Sequence, residues 1–226
     1  LAVVLVANAA RLKPTPVLDP LPPSAAAGDD AAVERFRALL RIPTVWDLRN
    51  PDADRTAFDG FVPALRRLYP AVFEACELEL IDGRGISLLW KGANRELAPI
   101  VLMAHHDVVD ADPVGWTHDP FAADIDDGRI YARGAVDTKC VWAGLMEAAE
   151  RLIAEGFTPP RDVYFFSSNT EEDGGDTAPH MVEHLQRIGR VPYMVVDEGG
   201  AVIDNPPLGV DIPFAVVGVS EKGVFN

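Results

Sequence analysis

The feature that most constrains this chain is a rhythm of strand-length and helix-length segments. "PIVLMAHHDVV", "RDVYFFSSN" and "PYMVVDEGG" are nearly continuous runs of β-branched, aromatic and other apolar residues. Runs of that length and composition suit strands covered on both faces. Between the first two lies "TKCVWAGLMEAAERLIAEGF", which predicts a long helix with Val141, Leu145, Ala148 and Leu152 on one stripe and Gly156 as its stop. Between the second and third lies "APHMVEHLQRIG", a second helical pattern. Upstream, "DDAAVERFRALLRIPTV" predicts an Asp-capped helix carrying Val33, Phe36, Leu39 and Leu40 inward. "AFDGFVPALRRLYPAVF" predicts another, with Pro63 in its first turn. "CELELI" and "ISLLWKG" read as two strands around an Asp82–Gly85 turn, and "PFAVVGV" as the last strand. Such alternation predicts an α/β fold, a largely parallel sheet with helices on both faces.

Length and charge narrow the function classes. With 226 residues the chain can bury one substantial core, and 48% hydrophobic with 24% charged residues is the composition of a globular protein. Against 20 Lys and Arg stand 35 Asp and Glu, a formal charge of −15. That balance repels phosphate backbones and excludes nucleic acid as the expected partner. Cys76 and Cys140 form no C-x-x-C pair, which excludes a thiolate zinc finger; two free thiols are expected, with a single bridge as the alternative. "LAVVLVANAA" is too short to span a bilayer. It reads as the remnant of a signal peptide or membrane anchor, or as a buried helix, so export or anchoring is one expectation and a cytoplasmic location the other. The Pro- and Ala-rich stretch that follows, to residue 28, reads as a linker.

The chemistry collects where strands end. In open α/β sheets ligands bind beyond the carboxyl ends of the strands. Here the first such strand ends in His105, His106 and Asp107, the second runs into Glu171 and Glu172, and the third into Asp197 and Glu198. Asp137 falls immediately before the long helix. Any one of these patterns alone is common in loops and turns. Converging at one sheet edge, however, carboxylates and imidazole are costly to hold together unless a cation neutralises them. A donor set of nitrogen and oxygen without thiolate suits Zn²⁺, with Mn²⁺ or Co²⁺ as substitutes. Strand alternation puts His105 and Asp107 on one face and turns His106 to the other, where a packing or hydrogen-bonding role is expected.

In combination, "AHHDVV", "GWTHDPFAADIDDGRIYARGAVDTK", "EAAERLIAEGFTPPRDVYFFSSNTEEDGG", "VVDEGGAVI" and "VGVSEKGVF" resemble the dinuclear zinc peptidases and acylases of the aminoacylase, glutamate carboxypeptidase and carboxypeptidase S group, the last type above all. The resemblance runs from about residue 30 to 226. It implies a three-layer α/β/α zinc-exopeptidase-like catalytic domain over residues 29–222, with 223–226 opening a lid domain. It also implies roles. His105 would bind one metal, oriented by Asp107; Asp137 would bridge both metals; Glu172 would bind the second, and Asp197 would complete the first. Glu171 would be the general base, and the peptide bond after Asp137 would be cis.

The implied reaction is hydrolysis of an amide bond in a small peptide or N-acyl amino acid, by a water held between two Zn²⁺ ions. The resemblance also implies a homodimer built through a downstream domain. Three departures stand out: Thr170 precedes the Glu pair where an acid is usual, "DVVD" stands where D-V-V-P is usual, and Cys140 occupies a position commonly held by a small residue. None of His106, His118, His180 and His184 lies in the context of the group's last metal-binding histidine. A fragment inactive on its own is therefore expected, with a non-catalytic metal-binding scaffold as the alternative reading.

Overall fold

The computed structural model describes residues 3–4, 11, 30–50, 54–199, and the backbone of 201–203 and 214–216. The N-terminal apolar segment and linker, apart from residues 3–4 and 11, and the residues expected to open a lid domain lie outside that range. None of the described helices is long and apolar enough to cross a membrane.

Among the described residues from 30 onward, five helices, α1 (Asp30–Leu40), α2 (Thr56–Leu68), α3 (Pro70–Ala75), α4 (Lys139–Ala154) and α5 (Thr177–Arg187), pack about a five-stranded sheet. Its strands are β1 (Glu77–Ile81), β2 (Gly85–Trp90), β3 (Ile100–His105), β6 (Val163–Ser168) and β7 (Met194–Val196), in spatial order β1-β2-β6-β3-β7. β3 pairs in parallel with β6 and β7, while β2 is antiparallel to both β1 and β6. Four of the five strands therefore run one way and only β2 is reversed, the mostly parallel sheet the alternation predicts. Two small hairpins stand apart: β4 (Asp124–Asp126) with β5 (Arg129–Tyr131), and β8 (Ala201–Ile203) with β9 (Phe214–Val216). The strand expected from "PFAVVGV" is thus part of a hairpin and not of the central sheet.

The period of two along each strand divides the core between the sheet's faces. Ile86, Leu88 and Trp90 of β2, Ala104 of β3 and Phe165 of β6 face α1–α4, and pack with Leu39, Phe61, Leu65, Tyr69, Trp142 and Met146. The alternating residues Val101, Tyr164 and Phe166 face the other way, against Met181 and Leu185 of α5. This is the three-layer arrangement. Each large apolar side chain so buried stabilises the fold by about 1.5–3 kcal/mol over its exposed state.

Two local expectations shift. The buried stripe of α4 is Trp142, Ala143, Met146 and Ala149, whereas Val141 and Leu152 are exposed. Two apolar stripes overlap on this helix, and the one carrying the larger Trp142 and Met146 turns inward because it removes more surface from water. Pro63 lies in the middle of α2 because the helix starts earlier, at Thr56. Pro63 is on the exposed side, where water can satisfy the carbonyl it leaves without a partner. Pro70 opens α3, and the Glu150 carboxylate of α4 accepts the first N–H groups of that helix, from Ala71 and Val72, at 3.0 and 2.9 Å.

Candidate metal centre

The register aligns three strand ends. His105, the last residue of β3, lies beside Ser168, the last of β6. β7 ends at Val196, paired with Leu102, so its continuation rises past the end of β3. The segments leaving these strands, together with the residues before α4, meet at one edge of the sheet.

His105 is buried, 1% exposed, and its two ring nitrogens meet acceptors on opposite sides. Nδ1 lies 3.0 Å from the Asp107 carbonyl and 3.4 Å from Asp107 Oδ1. An N–H at Nδ1 directs the Nε2 lone pair outward, toward Asp137 Oδ1 at 2.9 Å, Glu198 Oε1 at 3.4 Å and Glu171 Oε2 at 3.7 Å. One lone pair and three carboxylates converging on a point need a positive charge among them. Burial alone lowers the His105 pKa, but the hydrogen bond and charge of Asp107, with Glu198 behind, overcome it and raise the value to about 10. The second proton neutralises the acids in this way, and a divalent cation at Nε2 would neutralise the same acids. The donor set fits such an ion: His105, Asp137 and Glu198 offer ligand atoms that all lie within 4.8 Å of one another.

Asp107 reinforces the fit. It is fully buried; Oδ2 accepts the Glu172 backbone N–H at 3.0 Å, and Oδ1 has no hydrogen-bond partner. A buried carboxylate oxygen left without a partner is costly, unless the imidazole beside it carries charge or binds a cation. Through the same side chain Asp107 also fixes the loop that bears the two glutamates. Glu172 Oε1 accepts the Val109 N–H at 3.3 Å. Partial burial raises the pKa of both Glu171 and Glu172; His105 opposes the rise in each, and Asp137 adds to it.

His105, Asp107, Asp137, Glu171 and Glu172 thus come to one place, although the two glutamates fall outside the tight trio of ligand atoms. Asp197 differs from its expected position. It is exposed, its Oδ1 accepts the N–H of Glu198 at 2.9 Å, and it does not join the group. By folding back on its own backbone it leaves the longer Glu198 to reach His105. The Asp137–Thr138 peptide is cis. The site is open, with Asp137 66% and Glu171 50% exposed.

His106 points to the opposite face, as alternation requires. Its ring stacks on Phe61 at 4.6 Å, and Nδ1 meets Ser167 Oγ at 2.8 Å. Full burial, with Lys139 and His105 nearby, lowers its pKa well below the ordinary value, so it packs as a neutral ring. Lys139 is the residue that sequence patterning misses. A lysine at the start of an amphipathic helix reads as surface, yet this one is fully buried. Cys76 and Cys140 are free.

Residues 101–216, more than half of the chain, match the family described as peptidase family M20/M25/M40. The chain belongs to this family. Among M20 relatives, the N-fatty-acyl-amino acid synthase/hydrolase PM20D1 of Xenopus tropicalis is 36% identical over 194 residues, covering 84% of this chain and 38% of the relative. The probable carboxypeptidase S-like 2 of Dictyostelium discoideum is 33% identical over 205 residues, covering 86% of this chain and 39% of the relative. The fold is shared with the M20 metallo-carboxypeptidase Sso-CP2 from Sulfolobus solfataricus: TM-score 0.60 at 20% identity, over 76% of this chain and 38% of that one. The chain spans less than two-fifths of the length of each of these three proteins.

Proposed function

We propose that the protein carrying this chain is a metal-dependent hydrolase that cleaves an amide bond in a small peptide or an N-acyl amino acid, with two Zn²⁺ ions as its metals. The observation that carries the reading is the environment of His105: Nδ1 backed by Asp107, and Nε2 facing Asp137, Glu198 and Glu171 within 3.7 Å. His105, Asp137 and Glu198 would hold one ion. Asp137 and Glu172 would contribute to the second, and Glu198 takes the role the sequence resemblance gives to Asp197. Such ions, when bound, supply Lewis acidity toward the scissile carbonyl and make water a better nucleophile near neutral pH.

The chain's own residues supply the rest. Asp107 holds the His105 ring in one tautomer and one orientation, and through the Glu172 N–H it fixes the loop that carries Glu171. Glu171 accepts the proton of the attacking water and returns it to the departing amine. Its burial, with the charges of Glu198, Asp107 and Asp137, raises its pKa against the opposing His105, the direction a group needs to take and then release a proton near neutrality. The peptidase M20 membership and the relatives' names support amide hydrolysis; the acyl or peptide portion of the substrate rests on the likeness to acylases and carboxypeptidases.

The test pairs hydrolysis of a panel of dipeptides and N-acyl amino acids with elemental analysis of the purified protein. Glu171→Gln is expected to lower turnover about 10²- to 10⁴-fold while leaving metal bound. Asp137→Ala is expected to lose metal. Undiminished turnover in Glu171→Gln overturns the general-base role, and a metal-free, fully active protein overturns the whole reading.

A further inference from the structure

We infer that Lys139 is a positioning residue for the metal centre, acting through the segment 39–46 that ties the Asp137 loop to the end of β3; the inference rests on the metal-hydrolase reading above. Lys139 is fully buried, and no carboxylate forms an ion pair with it among the described residues. Its ammonium instead donates to two carbonyls, Ile42 O at 2.7 Å and Leu39 O at 3.3 Å. Leu39 lies in the last turn of α1, where the helix dipole is negative, so a cation there is well placed; the Leu39 carbonyl also accepts the Ile42 N–H at 3.2 Å, and the ammonium adds a second donor.

The segment so gripped is also bound to the residues around His105. Thr44 Oγ1 donates to the carbonyl of His106, the Val108 N–H donates to Thr44 O at 2.9 Å, and the Trp46 N–H donates to Val108 O at 3.1 Å. Val45 and Val108 form an isolated parallel bridge. One end of the bracket thus holds the start of α4, two residues after Asp137, and the other holds the backbone of residues 106–108, next to His105. Phe61 fills the space between, stacked on His106 at 4.6 Å and 5.6 Å from the Lys139 ammonium.

Gly134 closes the arrangement. Its φ of +79° favours glycine, and a Cβ there would lie 2.8 Å from Val108 Cγ1 and 3.4 Å from Lys139 Cδ. The loop that delivers Asp137 therefore lies directly on both arms of the bracket. Asp137 itself is 66% exposed, so its place 2.9 Å from His105 depends on what anchors the backbone on either side of it. A lysine that only capped α1 would need no connection to β3; this one has a connection at each end.

The test uses the intact protein and Co²⁺ as the probe, with affinity read by titration and site geometry by the visible absorption of the bound ion. Lys139→Met, nearly isosteric and apolar, is expected to stay folded by circular dichroism, to bind Co²⁺ about 10- to 100-fold more weakly and to show altered absorption. Lys139→Arg, which keeps the donors, is expected to recover part of that loss. Thr44→Val cuts the other end of the bracket without touching Lys139, and is expected to weaken Co²⁺ in the same way; this variant decides the matter should Lys139→Met not fold. Folded variants that bind Co²⁺ as tightly as the parent, with the same absorption, overturn the inference alone. A parent protein that binds no Co²⁺ overturns the metal-hydrolase reading as well.

Discussion

Two aspartates, one near each end of the parallel strands, are fully buried, and their surroundings are opposite in kind. Asp162, just before β6 at the amino end, has its charge matched. Its Oδ1 accepts the Gly92 N–H at 2.9 Å, Arg190 lies 2.5 Å from Oδ2, and Arg95 lies 3.3 Å from Oδ2. Asp107, after β3 at the carboxyl end, has one backbone N–H, an imidazole beside it and an oxygen with no hydrogen-bond partner. Around Asp107 lie further carboxylates; around Asp162 lie guanidinium groups. A buried carboxylate enclosed by permanent cations holds a fold together. One left short of positive charge beside an imidazole, among other acids, is arranged to share a cation that comes from outside.

The largest effect should come from breaking the matched pair. Asp162→Ala leaves Arg190, itself largely buried, without its counter-charge and the Gly92 N–H without its acceptor. Removing one partner of a buried ion pair costs about 3–5 kcal/mol. Urea unfolding should show a loss of that order, with metal affinity unchanged in the folded fraction. A loss below about 1 kcal/mol, the level of an exposed pair, would mean that solvent already screens this cluster.

The converse substitution should reverse the pattern. Asp107→Asn keeps an oxygen for the Glu172 N–H but sets an amide beside His105 Nδ1, which favours the wrong tautomer. Stability should fall by less than for Asp162→Ala, because the imidazole, unlike a guanidinium, can give up its second proton when its counter-charge is gone. Metal affinity or turnover should fall about 10- to 100-fold, the usual effect of losing a group that orients a ligating histidine. A variant that unfolds while its folded remainder binds metal normally would place Asp107 with Asp162, as a structural acid.

Much of this contrast could be read from the residues. Apolar periodicity identified β3, β6, β7 and the helices between them, and alternation along β3 separated His105 from His106, since the two faces of a strand have different neighbours. Where the strand stops, that information stops too. Asp197 and Glu198 are adjacent beyond β7, and only the hydrogen bond that turns Asp197 back on the Glu198 N–H decides which acid faces His105. Lys139 is hidden for another reason: the carbonyls that justify its burial belong to the end of α1 and the turn after it, about a hundred residues earlier. The β4–β5 hairpin escapes apolar periodicity because its strands are short and polar. A signal for it was present in Asp127–Gly128, both with positive φ, the residue pair that a tight hairpin turn favours.

An exposed pair supplies the third point of the comparison and the smallest expected effect. His180 of α5 meets Asp82, in the β1–β2 turn, through Nδ1, with about two-fifths of each side chain or more open to solvent. The hydrogen bond to Asp82 raises the His180 pKa above its ordinary value of 6.5. The folded state therefore binds this proton more tightly than the unfolded one. The pair's contribution is fully present below about pH 6.5 and is lost as pH rises through the higher folded value. Melting temperatures followed from pH 5 to 9 should fall slightly more for the parent than for His180→Asn, and added salt should reduce the difference because the pair is open to screening. If the difference persisted undiminished in high salt, the pair would be shielded from solvent and would stand with Asp162. If there were no difference at any pH, then burial, and not the mere meeting of opposite charges, would be what gives an ion pair in this fold its weight.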